Sequence, residues 1–154
     1  MQEDTGYELV AVAGENEWRD YHAIRREVLW EARGRTGYND EQSDEYRPAN
    51  HPLLLKLDGR AIGTTRLDDL GNGTGVVRLV AIVADLQRRG HGRKLTELIE
   101  AYARNRDMTR LFVNAAVDAV GYYEKLGWQC FSCDETELSG IAAGTVQMTK
   151  SLAW

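Results

Sequence analysis

The run Val76-Val77-Arg78-Leu79-Val80-Ala81-Ile82-Val83 leads into Gln87-Arg88-Arg89-Gly90-His91-Gly92 and then into an amphipathic stretch. The Val- and Ile-rich run reads as a buried strand. Downstream, Leu95, Leu98, Ile99, Tyr102 and Ala103 recur at helical spacing, with Lys94, Glu97, Glu100 and Arg104 off that stripe. A strand that turns through glycines into a helix leaves the first N–H groups of that helix unpaired and converging. The helix dipole makes their meeting point attractive to an anion. Gly90 and Gly92 have no Cβ, so phosphate oxygens can approach the main chain. The stretch therefore predicts a diphosphate cradle built from backbone amides between Arg88 and Arg93. It is neither a dinucleotide fingerprint, which needs a third glycine, nor a P-loop, which needs Gly-Lys-Ser/Thr. Read for structure alone, it is a tight connection with a solvated basic rim of Arg88, Arg89, Arg93 and Lys94.

The 154 residues fit one domain, spanning 1–154, with enough chain to bury a core. A net charge of −5 argues against a general nucleic-acid binder, since the basic residues at 88–94 are a local cluster. No apolar run reaches membrane-span length, and the start Met1-Gln2-Glu3-Asp4 is acidic, unlike a signal peptide. The expectation is a cytoplasmic protein with no membrane partner. His22 and His51 have no metal-ligand spacing, and no metal site is expected. Cys130 and Cys133 form a lone Cys-x-x-Cys in what reads as a strand, where positions three apart face opposite sides. Free thiols are predicted.

Along the chain, Tyr7–Ala13 reads as a first strand. A helix over Glu15–Trp30 follows, with a stripe of Trp18, Tyr21, Ile24, Val28 and Leu29 and Asn16 as its N-cap. From Ala32 to Pro52 the pattern dissolves into a helical turn and a long loop, which includes the acidic run Asp40-Glu41-Gln42-Ser43-Asp44-Glu45. Leu53–Leu57 and Ala61–Leu67 form a hairpin around Asp58-Gly59, and Gly71–Gly75 turns the chain into the central strand. Strand 111–113, a short helix over Val117–Leu126, and strands at 128–133 and Val146–Leu152 complete the order. The succession is that of an α/β (α+β) protein, with a mixed sheet and helices on both faces.

Gln-x-x-Gly-x-Gly after a hydrophobic strand resembles the acetyl-coenzyme A motif of the GNAT family of N-acetyltransferases. One helix and one strand later comes Ala119-Val120-Gly121-Tyr122-Tyr123-Glu124-Lys125-Leu126-Gly127-Trp128, which is similar to that family's second signature. The resemblance implies a splayed central sheet of about six to seven strands. It also implies acetyl-coenzyme A as cosubstrate and leaves a homodimer open; amino acids, polyamines, antibiotics and protein amines all stay open as acceptors, a small-molecule amine being preferred because nothing in the chain suggests a long protein-docking groove. Main-chain groups near Ala81, Ile82 and Val83 would pair with the pantetheine arm. Gln87, Arg88, Arg89, Gly90, His91, Gly92 and Arg93 would hold the diphosphate. Asn114, Ala119 and Tyr122 would line the cofactor, although Asn114 reads equally well as a cap for the helix that follows.

Acyl transfer to an amine needs a held acyl carrier, a polarised carbonyl, and a proton for the leaving thiolate. Tyr123 occupies the family's tyrosine position and is the predicted acid. Tyr122 and Tyr123 cannot share a helix face, so one packs while the other reaches the site. The 76–83 strand has no carboxylate, so the base is either ordered water or one of Glu27, Glu31 and Asp68. Arg78 is a lone charge amid Val and Leu. It is either salt-bridged to Asp68 or Asp69, or a clamp for an acceptor carboxylate alongside Glu31 at the substrate. The acidic run 40–45 could attract a cationic amine, and is more simply a solvated face. The competing function is a non-catalytic acyl-coenzyme A sensor or interaction module on the same fold. A weaker third is a nucleotide-binding domain.

Overall fold

Residues 6–39, 46–132 and 145–152 are described in the computed structural model. Among them, seven strands form one sheet in the order β1-β2-β3-β4-β5-β7-β6. These are β1 (Tyr7–Ala11), β2 (Asn50–Leu57), β3 (Arg60–Gly71), β4 (Thr74–Ile82), β5 (Arg110–Ala116), β6 (Gln129–Ser132) and β7 (Thr145–Ser151). Every neighbouring pair is antiparallel except β4·β5. That parallel step needs a crossover, which α2 (His91–Arg104) supplies. The mixed, open sheet matches the fold class expected from the sequence.

Turn chemistry sets the hairpins. Asp58 and Gly59 have φ of +50° and +86°, and Asn72 and Gly73 have φ of +48° and +83°. These paired left-handed residues match the right-handed twist of the flanking strands. The β2–β3 hairpin extends beyond the expected arms, with Asn50 opposite Asp68 and His51 opposite Leu67. Its ends carry polar residues, so apolar alternation could not announce them.

α1 (Gly14–Arg25) widens into a π-helical turn over Arg26–Trp30 and a 3₁₀ turn over Glu31–Arg33. The expected cap, Asn16, lies inside the first turn; the N-cap residue is Ala13, whose N–H donates to the Glu17 carboxylate at 3.0 Å. The acidic run 40–45 lies outside the described residues. α1 and α2 cover opposite faces of the sheet. Lys56 of β2 reaches Glu17 of α1 at 2.7 Å, whereas His51, at odd spacing on the same strand, meets the Tyr102 ring of α2. The core between these layers includes Tyr21, Ile24, Leu53, Leu55, Ile62, Leu67, Leu95, Ile99, Leu111 and Met148. Fully burying a side chain such as Leu95 or Ile99 contributes about 1.5–3 kcal/mol.

The cysteine expectation fails. Cys130 is disulfide-bonded, and its counterpart in the sequence, Cys133, lies outside the described residues. The alternation argument assumed a regular strand, but β6 shifts register between Cys130 and Ser132 and ends there.

Candidate functional site

β4 and β5 part company halfway along. Their pairing runs from Thr74 opposite Arg110 to Val77 opposite Val113 and stops, although β4 continues to Ile82 and β5 to Ala116. β5 keeps its register with β7 as far as Ala116 opposite Thr145, so the opening lies on its β4 side. The cause is in β4. Register with β3 slips between the Thr64–Ala81 and Arg66–Arg78 pairs, and Leu79 sits at φ +54°. An extra residue on one strand bends it and increases its twist. Thr65 fastens the distortion by donating its hydroxyl to the Arg78 carbonyl at 2.8 Å. A bulge centred on a leucine has no sequence signature, and nothing in the pattern 76–83 announces it.

The wedge has a polar main-chain edge. The Val83 N–H donates to the Ile62 carbonyl at 2.9 Å, and the Val83 carbonyl accepts from Leu86 at 3.0 Å. Val83 is therefore fully engaged within the protein, contrary to the expectation that its main-chain groups are free. Ala81 lies in register opposite Thr64 of β3. In a trans peptide the carbonyl points away from the N–H, so the Ile82 carbonyl faces away from β3, into the wedge. There it accepts the Gln87 side-chain amide at 2.8 Å.

The stretch expected to form the cradle turns through two left-handed residues. Arg88 and Gly90 take φ of +63° and +88°, turning successive amides toward one side before α2 begins at His91. The first amide to find an acceptor is that of Lys94, bonded to the Gly90 carbonyl at 3.2 Å. No amide from Arg88 to Arg93 donates to another group among the described residues. A Cβ on Gly90 would meet open space, and one on Gly92 only the Tyr122 hydroxyl at 3.6 Å. Unspent N–H groups beside the exposed Arg88, Arg89 and Arg93 suit an anionic group. Tyr7 of β1 adds a partner that sequence distance concealed: its hydroxyl lies 2.7 Å from His91 Nδ1.

α3 (Val120–Lys125) follows β5 through a 3₁₀ turn and lies beside the first turns of α2. The Tyr122 hydroxyl is 3.5 Å from Thr96 Oγ1, and Thr96 donates to the Gly92 carbonyl at 3.0 Å. Tyr122 is 38% exposed and Tyr123 only 8%. The Tyr123 ring packs edge-on against Trp128 and Tyr122, at 5.5 Å and 5.2 Å between centroids. Burial drives its phenol far above the ordinary tyrosine range, with the Tyr122 phenol adding to the rise. Tyr122 is raised as well, first by burial and against the Thr96 hydrogen bond. The two adjacent tyrosines divide, but it is Tyr123, the predicted acid, that packs into the core, while Tyr122 faces α2. Ala119 is the residue at which α3 begins. Asn114 caps neither turn that follows it, because the cap positions are Ala116 and Ala119 and neither end has a side-chain cap bond.

On the α1 face of the sheet, Arg78 makes the salt bridge that its structural reading predicted. Its Nε donates to Asp68 Oδ2 at 2.6 Å, while Arg66 donates Nε to Oδ1 at 2.7 Å and Nη2 to Oδ2 at 2.9 Å. Both Asp68 oxygens are therefore occupied by guanidinium groups, which removes Asp68 as a candidate base. Glu27 and Glu31 are exposed on the turns after α1, and neither forms an ion pair with Arg78 among the described residues. Arg66 was not singled out by the sequence; only the register opposite Arg78 brings it into the group.

Comparison with known proteins agrees with this geometry. A model of the acetyltransferase (GNAT) family matches residues 13–128. Among solved structures, a Lactobacillus plantarum protein described as an N-acetyltransferase superposes with a TM-score of 0.82 at 21% identity, over 96% of this chain and 99% of that one. A spermidine N-acetyltransferase chimera from Vibrio cholerae gives 0.78 at 16% identity, over 96% of each chain. The N-acetylglutamate synthase of Neisseria gonorrhoeae, crystallised with coenzyme A and N-acetyl-glutamate, gives 0.74 at 18% identity, over 99% of this chain and 36% of that one. At these identities the structures speak for the fold.

Proposed function

The chain belongs to the acetyltransferase (GNAT) family, and on that premise we propose that it moves the acetyl group of acetyl-coenzyme A onto a primary amine of a small molecule by direct attack. Acyl-coenzyme A-dependent N-acetyl transfer is the family's activity. The acceptor, the direct route and the residue roles are our reading. The observation that carries it is the set of unspent amides from Arg88 to Arg93, standing at the mouth of a wedge between two strands of one sheet.

The cosubstrate supplies an activated thioester. On this reading the chain holds its diphosphate with main-chain N–H groups at the start of α2, reinforced by the dipole and by Arg88, Arg89 and Arg93. Gln87 braces the Ile82 carbonyl at the wedge edge, beside Ala81, and Asn114, Ala119 and Tyr122 are assigned to the cofactor by the family's motif. Tyr123 delivers the proton that the departing thiolate requires, and the proton lost by the attacking amine passes to ordered water and from there restores the phenol. Burial keeps this phenol protonated, and because the same burial opposes loss of its proton, the role we give it rests on its place in the family's motif. The neighbours do not choose the acceptor's charge, since their names span a polyamine and a glutamate acetylation.

The test is release of free thiol from acetyl-coenzyme A over a panel of amines. Tyr123→Phe is expected to lower kcat by roughly ten- to a thousandfold while leaving acetyl-coenzyme A affinity within about twofold. A Tyr123→Phe protein with wild-type kcat would remove the phenol from the mechanism. Binding without thiol release for any amine would favour a sensor.

A further inference from the structure

Resting on the acyl-transfer reading above, we infer that the acceptor amine also carries a carboxylate, and that Arg78 is the residue that docks it.

Arg78 is the first β4 residue beyond the last pair with β5, and it immediately precedes the Leu79 bulge. It therefore stands where the wedge opens. Its side chain lies on the α1 face, because it is in register with Arg66, which is in register with Pro52, one of the β2 positions sharing a face with Lys56. The amide cradle belongs to α2, on the opposite side of the sheet. A cosubstrate held at the cradle and reaching through the wedge would present its acyl group to an amine arriving from the Arg78 side.

The charge arrangement there is asymmetric. Arg66 and Asp68 have side chains 10% and 9% exposed, and Arg66 grips both carboxylate oxygens. Arg78 joins the same carboxylate through Nε alone, and its side chain is 40% exposed. Its two terminal nitrogens make no hydrogen bond among the described residues. The part of this group that reaches solvent is the terminal end of the Arg78 guanidinium. Asp68 fixes that guanidinium by one edge, so its orientation is set before any ligand arrives. A planar fork of N–H donors matches a carboxylate in both charge and spacing. A cationic acceptor without an anionic group would meet repulsion at this point.

The test compares acceptors in matched pairs, free amino acids and dipeptides each against its carboxamide, by thiol release from acetyl-coenzyme A. For at least one pair the acid should exceed its amide in kcat/KM by roughly tenfold or more, since a hydrogen bond to a charged group contributes about 1.5–3 kcal/mol. Arg78→Gln should raise KM for that acid by roughly ten- to a hundredfold, leaving kcat and the KM of the amide within about twofold. Arg78→Lys should recover part of the difference. Acetyl-coenzyme A affinity and melting temperature of Arg78→Gln report that the fold and the cradle are intact. Acids and amides used equally, or amides preferred, would overturn the carboxylate assignment while leaving acetyl transfer standing. Absence of thiol release with every pair, despite acetyl-coenzyme A binding, would overturn both.

Discussion

Replacing Asp68 by Asn tests how much of the β3–β4 hairpin rests on one carboxylate. The side chain is 9% exposed and accepts hydrogen bonds of 2.7, 2.9 and 2.6 Å from two guanidinium groups. Asn keeps the volume, removes the charge, and turns one acceptor into an NH₂ that faces an N–H donor. Removing one partner of a buried pair costs about 3–5 kcal/mol, and the Arg66 side of the site is buried enough for that figure to apply. The Arg78 bond adds at most about 1 kcal/mol, because that side chain is 40% exposed and screened by water. A loss near 4 kcal/mol follows, equivalent to a fall in Tm of roughly 8–16 °C for a chain of this size. Urea unfolding with an unchanged m-value is the assay. Asp85→Asn is the control, since its pair with Arg60 is 65% and 57% exposed and should cost under about 1 kcal/mol. Adding Arg66→Gln to Asp68→Asn should return part of the loss by removing the facing like charge. A cost for Asp68→Asn below about 1 kcal/mol, or no larger than that of Asp85→Asn, would refute the reasoning.

Other outcomes follow from the same geometry. Gly92→Glu should leave the fold intact, because its Cβ meets only the Tyr122 hydroxyl at 3.6 Å and an acidic residue suits a helix start. Calorimetry should nonetheless show coenzyme A affinity down at least about a hundredfold, as a carboxylate then occupies the anion's place. Gly75→Ala should lower stability by about 1–3 kcal/mol in urea unfolding, since the added methyl would come within 2.7 Å of Met108 and 3.2 Å of Leu67 and Leu111. The Tyr123 phenol is held above its ordinary value, so the folded state keeps a proton that the unfolded chain releases. Stability should therefore fall as pH rises above about 10, where an unperturbed tyrosine ionises, and Tyr123→Phe should flatten that slope.

The sequence already contained the local rules. Asp58-Gly59 and Asn72-Gly73 favour left-handed turns between strands, so two hairpins were legible from turn chemistry. The strand–glycine–helix order around Gly90 likewise dictated unspent amides, because a helix start leaves N–H groups unpaired whatever surrounds it. The stripe Leu95, Ile99 and Ala103 fixed which side of α2 is buried. Where expectation failed, a local irregularity had changed the outcome: the Glu17 carboxylate, four residues on, takes the Ala13 N–H, and β6 shifts register beside Cys130.

Tertiary structure decided the rest. That β4 bends at Leu79, that Val83 spends both its main-chain groups inside the protein, and that Arg66, Asp68 and Arg78 converge are consequences of register between strands. The separate fates of Tyr122 and Tyr123 depend in the same way on where α2 and Trp128 come to lie. Periodicity and turn residues act over a few bonds and so are written in the chain itself. The meeting of charges and the opening of a wedge depend on which strands become neighbours, and only the folded sheet settles that.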